Sequence, residues 1–136
     1  MSVLGLHADA IRDLEAIRGR RAHDADLIVA TLEAIEEDPE LADNLLDHGF
    51  GANANGPYNV SKWNRLWRDG MDLWRMRCAN LERLGLRYRI VYAYIARIGH
   101  RGNRFVVLAI VQREEIDYDD PTHPLATRIR AAYDGL

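Results

Sequence analysis

Three apolar stretches follow one another between Leu73 and Arg113, joined by connections too short to hold a crossover helix. They cover residues 73–78, 86–94 and 104–113, with turn-forming residues at 82–85 and 99–103. Returning a strand parallel to its predecessor takes a dozen or more residues, so short links dictate an antiparallel meander. Alternation then sorts the side chains. In the first strand Arg75 and Arg77 share a face with Leu73, while Trp74, Met76 and Cys78 share the other. In the second, Tyr88, Ile90, Tyr92 and Tyr94 oppose Arg87, Arg89, Val91 and Ala93. The third is apolar on both sides until Arg113, which suits the centre of a sheet.

Helices flank this sheet. Ala10, Ile11, Leu14 and Ile17 recur at helical spacing over residues 7–18. A second helix fits residues 24–37, with Leu27, Ile28, Leu32 and Ile35 inward, Asp24 as its cap and Pro39 after its end. The two form a hairpin broken near Gly19, expected to cover the Trp74/Ile90/Tyr92 face and leave the arginine face open. Residues 2–6 fit a short edge strand and 39–46 a brief helical turn. A last helix runs from Thr122 or His123 to Asp134, with Leu125, Ile129, Ala132 and Tyr133 inward. The fold class is therefore α+β: an N-terminal helical hairpin packed on a small twisted antiparallel sheet, with a C-terminal helix.

The net charge of −3 conceals a segregation. Residues 1–56 carry 12 acids and 4 bases, a balance of −8. Residues 57–113 carry 12 bases and 3 acids, a balance of +9, and residues 114–136 return to −4. A basic middle between acidic ends points to a surface for an anionic partner, although surface charge also clusters by chance. Of the 18 bases 17 are Arg, which genomic composition alone can produce.

Other classes recede. At 136 residues the chain fits one domain with one core. No apolar run approaches the roughly 20 residues of a membrane span, so no membrane partner is expected. The N-terminus lacks the basic start and apolar core of a signal peptide, so cytoplasmic residence is expected. The lone Cys78 allows neither an internal disulfide nor a thiolate metal cage. The Gly/Asn-rich loop at 49–57 lacks the Lys-Ser/Thr ending of a phosphate-binding P-loop. A short helix is expected over residues 60–68, capped by Asn59 or Ser61, with Trp63 and Trp67 on one face. These two tryptophans can pack that helix onto the sheet or stack on nucleobases, and packing is the commoner use.

Two helices, an antiparallel sheet, and Arg113 with Tyr118 five residues on past the last strand: this order resembles the RelE/ParE superfamily of toxins from bacterial toxin–antitoxin systems. The resemblance covers residues 7–46 and 71–134, with an insertion at about 49–68. The residues that carry it are Leu73-Trp74-Arg75-Met76-Arg77, Leu86-Arg87-Tyr88-Arg89-Ile90-Val91-Tyr92, and Val107-Leu108-Ala109-Ile110-Val111-Gln112-Arg113 with Tyr118. The RelE branch implies a metal-independent endoribonuclease, without a cofactor, that cuts messenger RNA on the ribosome. It also implies a cognate antitoxin and a hetero-oligomer of the two. The alternatives are a ParE-type toxin that poisons DNA gyrase without catalysis, or an inactive member that only binds and regulates.

The resemblance places Arg75 and Arg77 as the first-strand basic pair, Arg89 where the second strand supplies a catalytic base or acid partner, Arg113 at the end of the last strand and Tyr118 beyond it. RelE itself carries lysines at the first pair, and lysine gives up its proton more readily than arginine. The family is also strongly basic as a rule, whereas this chain is slightly acidic. Cleavage by the RNA's own 2′-hydroxyl needs a proton acceptor, cations around the phosphorane and a donor to the leaving oxygen. Arginines suit the middle task and shuttle protons poorly. Tyr118, ringed by arginines, could have a lowered pKa and act as the base, or could only stack on a nucleobase. His123 is the second proton carrier considered, with a solvent-facing helix end as its plain alternative. Lys62, Arg65, Arg68 and Arg87 are expected to contact RNA. The other histidines, His7, His23, His48 and His100, are scattered without ligand spacing. Asp117, Asp119 and Asp120 could hold magnesium, but turns and a helix cap explain them better. Any single arginine here also reads as a solvated or ion-paired surface residue; the combination carries the functional reading.

Overall fold

The computed structural model describes residues 4–38, 40, 43–49, 58–95, 104–120 and 122–136. The expected turn at 99–103, with His100, and most of the loop at 49–57 lie outside them. Five strands form one sheet: β1 (Leu4–Leu6), β2 (Tyr58–Lys62), β3 (Leu73–Cys78), β4 (Tyr88–Ile95) and β5 (Arg104–Gln112). Their order is β1-β5-β4-β3-β2, antiparallel except for β1, which runs parallel to β5 at the edge. Helices α1 (Ala8–Arg20) and α2 (Ala22–Glu37) form the hairpin. Short helices α3 (Asn64–Arg68) and α4 (Ala79–Arg83) follow β2 and β3, and α5 (Pro124–Asp134) closes the chain. No helix of the described residues is long and apolar enough to cross a membrane.

The alternation read from β3 and β4 holds. Val60, Trp74, Met76, Ile90, Tyr92 and Val107 form one core with Ile17, Ile28 and Ile35 of the hairpin. Leu73, Val91, Ala93, Val106 and Leu108 form a second core with Ala126 and Ile129 of α5. Each such buried aliphatic side chain contributes about 1.5–3 kcal/mol against exposure. The two cores lie on opposite faces of the sheet, so the arginine face is not open along its length. Helix α5 and the segment around Trp63 and Leu66 cover part of it, and among these arginines Arg77 and part of Arg75 stay accessible while Arg89 is buried. Cover on both faces also explains why β5 is apolar from Phe105 to Val111. The central strand, however, is β4, because β1 adds beyond β5.

A β-bulge decides which way the end of β5 faces. Val91 pairs with Ala109 and Tyr92 with Val107, which leaves Leu108 as an extra residue. Leu108 and its neighbour Ala109 both enter the α5-side core. Before the bulge, Phe105 and Val107 face the helical hairpin; after it, Val111 faces the arginines. Two residues later, Arg113 falls on that same side. Without the extra residue, a regular period of two would turn Arg113 toward the hairpin.

Other expectations need correction. Residues 60–62 are strand, not helix: β2 pairs with β3 from Tyr58↔Cys78 to Lys62↔Trp74, and only Asn64–Arg68 is helical. Trp63 and Trp67 do not share a face, since Trp63 joins the α5-side core and Trp67 packs on the hairpin-side core. Asp24 does not cap α2. It lies buried inside the first turn and accepts a hydrogen bond from the Tyr88 hydroxyl at 3.0 Å. Ile11, expected inward, is 41% exposed because α1 turns its Ala10–Ile17 edge to the sheet.

Candidate functional site

Strand parity gathers the arginines. Arg75 and Arg77 on β3, Arg89 on β4, Arg87 just before it and Arg113 after β5 line one cavity of about 430 Å³. A backbone hydrogen bond from Arg113 N to Arg87 O, 2.7 Å long, carries the β4–β5 ladder one step further. Arg113 is thereby fixed beside Arg87. The opposite wall comes from β2 and the residues before it: His48, Asn59 and Ser61, whose partners across the ladder include Asn59↔Arg77 and Ser61↔Arg75.

The guanidinium groups are held to different degrees. Arg75 donates from Nε to Ser61 Oγ at 3.0 Å, and its guanidinium lies 4.2 Å from the Tyr118 ring centroid. Arg113 donates to the Ile116 carbonyl at 3.2 Å and lies 5.5 Å from the same ring. Arg89 is buried, donating to Glu82 Oε1 at 2.6 Å and to the Tyr88 carbonyl at 3.0 Å. Burial pulls its pKa down, with Glu82 opposing that shift. Arg87 faces Glu114 at 3.6 Å, an exposed pair of little energetic weight. Arg77 is exposed and has no ion-pair or hydrogen-bond partner among the described residues. Counting Glu82 and Glu114 against the five arginines leaves the cavity with three uncompensated positive charges.

Tyr118 corrects an expectation. Its pKa is raised, not lowered: burial dominates, and Arg75, Arg89 and Arg113 only partly oppose it. The phenol oxygen is buried and finds no hydrogen-bond partner of normal geometry among the described residues. The ring lies beneath the arginines rather than in the cavity lining. It meets the Trp63 ring edge-on at 4.9 Å, and Trp63 Nε1 donates to the Tyr118 carbonyl at 3.0 Å. What the geometry shows of Tyr118 is a ring set against two of the cavity's cations.

His123 is also displaced from the site. It caps α5, its Nδ1 accepting from the Leu125 N–H at 3.1 Å, and it does not line the cavity. Lys62 points to the hairpin side, its Nζ 4.5 Å from the Trp67 ring centroid. Arg65 and Arg68 are exposed on α3 and do not line the cavity either. Asp117 and Asp120 accept from the backbone of Asp119 and Thr122, the turn roles favoured by sequence. Among the described residues, no group of three or more His, Cys, Asp or Glu is placed to hold a metal ion.

His48, dismissed as scattered, does line the cavity. Its Nδ1 accepts from the Lys62 N–H at 2.9 Å, while Gly49 N donates to Val60 O at 2.8 Å. These two bonds lash residues 48–49 along β2. With Nδ1 accepting, the ring's proton sits on Nε2, an assignment made from the bonding pattern. For Trp63, helix packing and nucleobase stacking were the two uses weighed; nothing in the linear sequence ties it to Tyr118, 55 positions away.

Comparison with protein-family models, with curated proteins and with solved structures gave no match. The mixed α+β architecture and the cavity geometry therefore carry the functional argument.

Proposed function

We propose that the arginine cavity binds RNA phosphates and that the protein is the toxin of a toxin–antitoxin pair, cutting messenger RNA on the ribosome without a metal. One observation carries this reading. Five arginines from three strands and their flanks converge on one cavity, with a surplus of positive charge and guanidinium groups already braced. Preorganised cations act where charge develops on the phosphorane, each on the scale of the roughly 3–4 kcal/mol lost when one oxyanion-hole donor is deleted. Arg75 and Arg113, seated on Tyr118, and Arg77, unpaired among the described residues, are the groups for that task. Tyr118 takes no proton in this scheme: the 2′-oxygen bonds to phosphorus as its proton passes to water, the P–O5′ bond breaks, and water returns a proton to the leaving 5′-oxygen, giving a 2′,3′-cyclic phosphate. The cavity contributes charge stabilisation and in-line positioning. The antitoxin would neutralise the basic cavity or cover the helical hairpin.

A second reading, a binding or regulatory member without catalysis, is favoured by a different observation. The residues expected to move protons are otherwise engaged: Tyr118 is buried, Arg89 is held by Glu82, and His123 caps a helix. Induced expression separates the readings. The nuclease stops translation and leaves toeprints of cuts inside translated messages. Growth arrest with intact messages and gyrase–DNA cleavage complexes would favour the ParE-type mode. No arrest would leave the binding module.

A further inference from the structure

The cavity has two chemically different walls, and only one is charged. Five arginines form the first. The second presents neutral groups from β2 and the segment lashed to it: Asn59, Ser61 and His48. Asn59 is partly exposed, and its amide makes no hydrogen bond among the described residues, so a donor and an acceptor both remain available. Its cross-strand neighbour is Arg77, whose guanidinium has no hydrogen-bond or ion-pair partner among the described residues either. His48 is fixed through Nδ1, which leaves an Nε2–H donor. Ser61 accepts from Arg75 Nε, so its own hydroxyl proton is free to donate.

A nucleotide divides in the same way, into an anionic phosphate and an uncharged base and ribose. Bases in single-stranded RNA are read through hydrogen bonds to their edges and through stacking on guanidinium planes. Asn offers the paired donor and acceptor that such an edge requires. We infer that Asn59, supported by His48, reads the base of the nucleotide whose phosphate rests on the arginine wall, with Arg77 beside it as a stacking plane. Asn59 and His48 thus set sequence preference, and the arginines set affinity. This assignment rests on the RNA-binding reading above.

The test is binding of fluorescent homopolymeric hexaribonucleotides (A, C, G and U) to the intact wild-type chain and to Asn59→Ala, Asn59→Asp and His48→Ala. Wild type should prefer one base, and Asn59→Ala should flatten that preference by about tenfold. The salt dependence of binding should stay unchanged. Asn59→Asp should re-rank the four oligomers rather than weaken them equally, and His48→Ala should reduce the preference in part. Circular dichroism checks that each variant is folded. Wild-type binding with a preference that all three variants retain overturns the inference and leaves the RNA-binding reading standing. Wild-type binding with no base preference overturns it too. Failure of the wild type to bind any oligomer overturns the underlying reading.

Discussion

The guanidinium of Arg75 lies 4.2 Å from the centroid of the Tyr118 ring, and Arg113 shares the same ring at 5.5 Å. The tyrosine thereby acts as a plinth for two cations, itself steadied by Trp63. The aromatic face holds positive charge without neutralising it, which a carboxylate would do. That distinction matters in a cavity whose use depends on surplus charge.

If the ring is what counts, the hydroxyl should be dispensable. Tyr118→Phe should retain activity and lose little stability, because it removes a buried oxygen that lacks a good partner. Tyr118→Ala should cost about 3–5 kcal/mol and abolish activity as the arginines lose their support. Urea denaturation and a translation-arrest assay on both variants check this. A Tyr118→Phe protein that folds normally but is inactive would restore the phenol as a participant.

Burial also raises the pKa of Tyr58, to about 12, and raises those of Tyr88, Tyr92 and Tyr118. The neutral phenols are therefore favoured in the fold relative to the unfolded value of about 10. Their contribution is complete below pH 10 and is lost as pH rises beyond it, because only the unfolded chain ionises there. Denaturation midpoints should stay level through mildly alkaline pH and fall from about pH 10 upward. The tyrosinate absorbance of these four phenols should appear together with unfolding. Native-state tyrosinate at pH 8 would contradict this.

Glu82 restrains Arg89 through a 2.6 Å pair in which the carboxylate keeps 31% of its exposure. Breaking a fully buried pair costs about 3–5 kcal/mol; with Glu82 this exposed, Glu82→Gln should cost roughly 1–2 kcal/mol. It also removes a negative charge from the edge of the cavity. Stability and RNA affinity should therefore move in opposite directions, the first down and the second up several-fold. Parallel loss of both would mean that the pair shapes the cavity more than its charge does.

Much of this was legible in the sequence, and the exceptions have identifiable causes. Strict alternation in residues 73–78 assigned Arg75 and Arg77 to one face, as observed. The 3.6-residue rhythm found both hairpin helices and the last helix. Arg113 reached the cavity for a reason the sequence does not display, since the extra residue Leu108 lies in an unbroken apolar run with no glycine to mark a bulge. Tyr118 was recognised as part of the constellation, but its ionisation was misjudged. Proximity to cations was weighed and burial was not, and burial depends on Trp63 packing from 55 residues away. Residues 60–62 were assigned to a helix because the period-2 pattern of Tyr58, Val60 and Lys62 is too short to stand out beside two tryptophans. His48 was missed because its place depends on hydrogen bonds to β2 that leave no local signature.

Everything proposed for this protein depends on the arginine cavity engaging RNA phosphates. Among the described residues Arg77 has no partner and Arg87 only an exposed one, so the double variant Arg77→Ala/Arg87→Ala should fold as the wild type does. The direct measurement is the affinity of both proteins for a short single-stranded oligoribonucleotide across a range of salt concentrations. With about three phosphates engaged, the logarithm of the wild-type association constant should fall with log salt at a slope near −2. The double variant should bind more weakly, with the slope reduced by about 1.4. Equal affinity and equal slope for the two proteins would contradict the claim, because the charge in this cavity would then not be what holds the RNA.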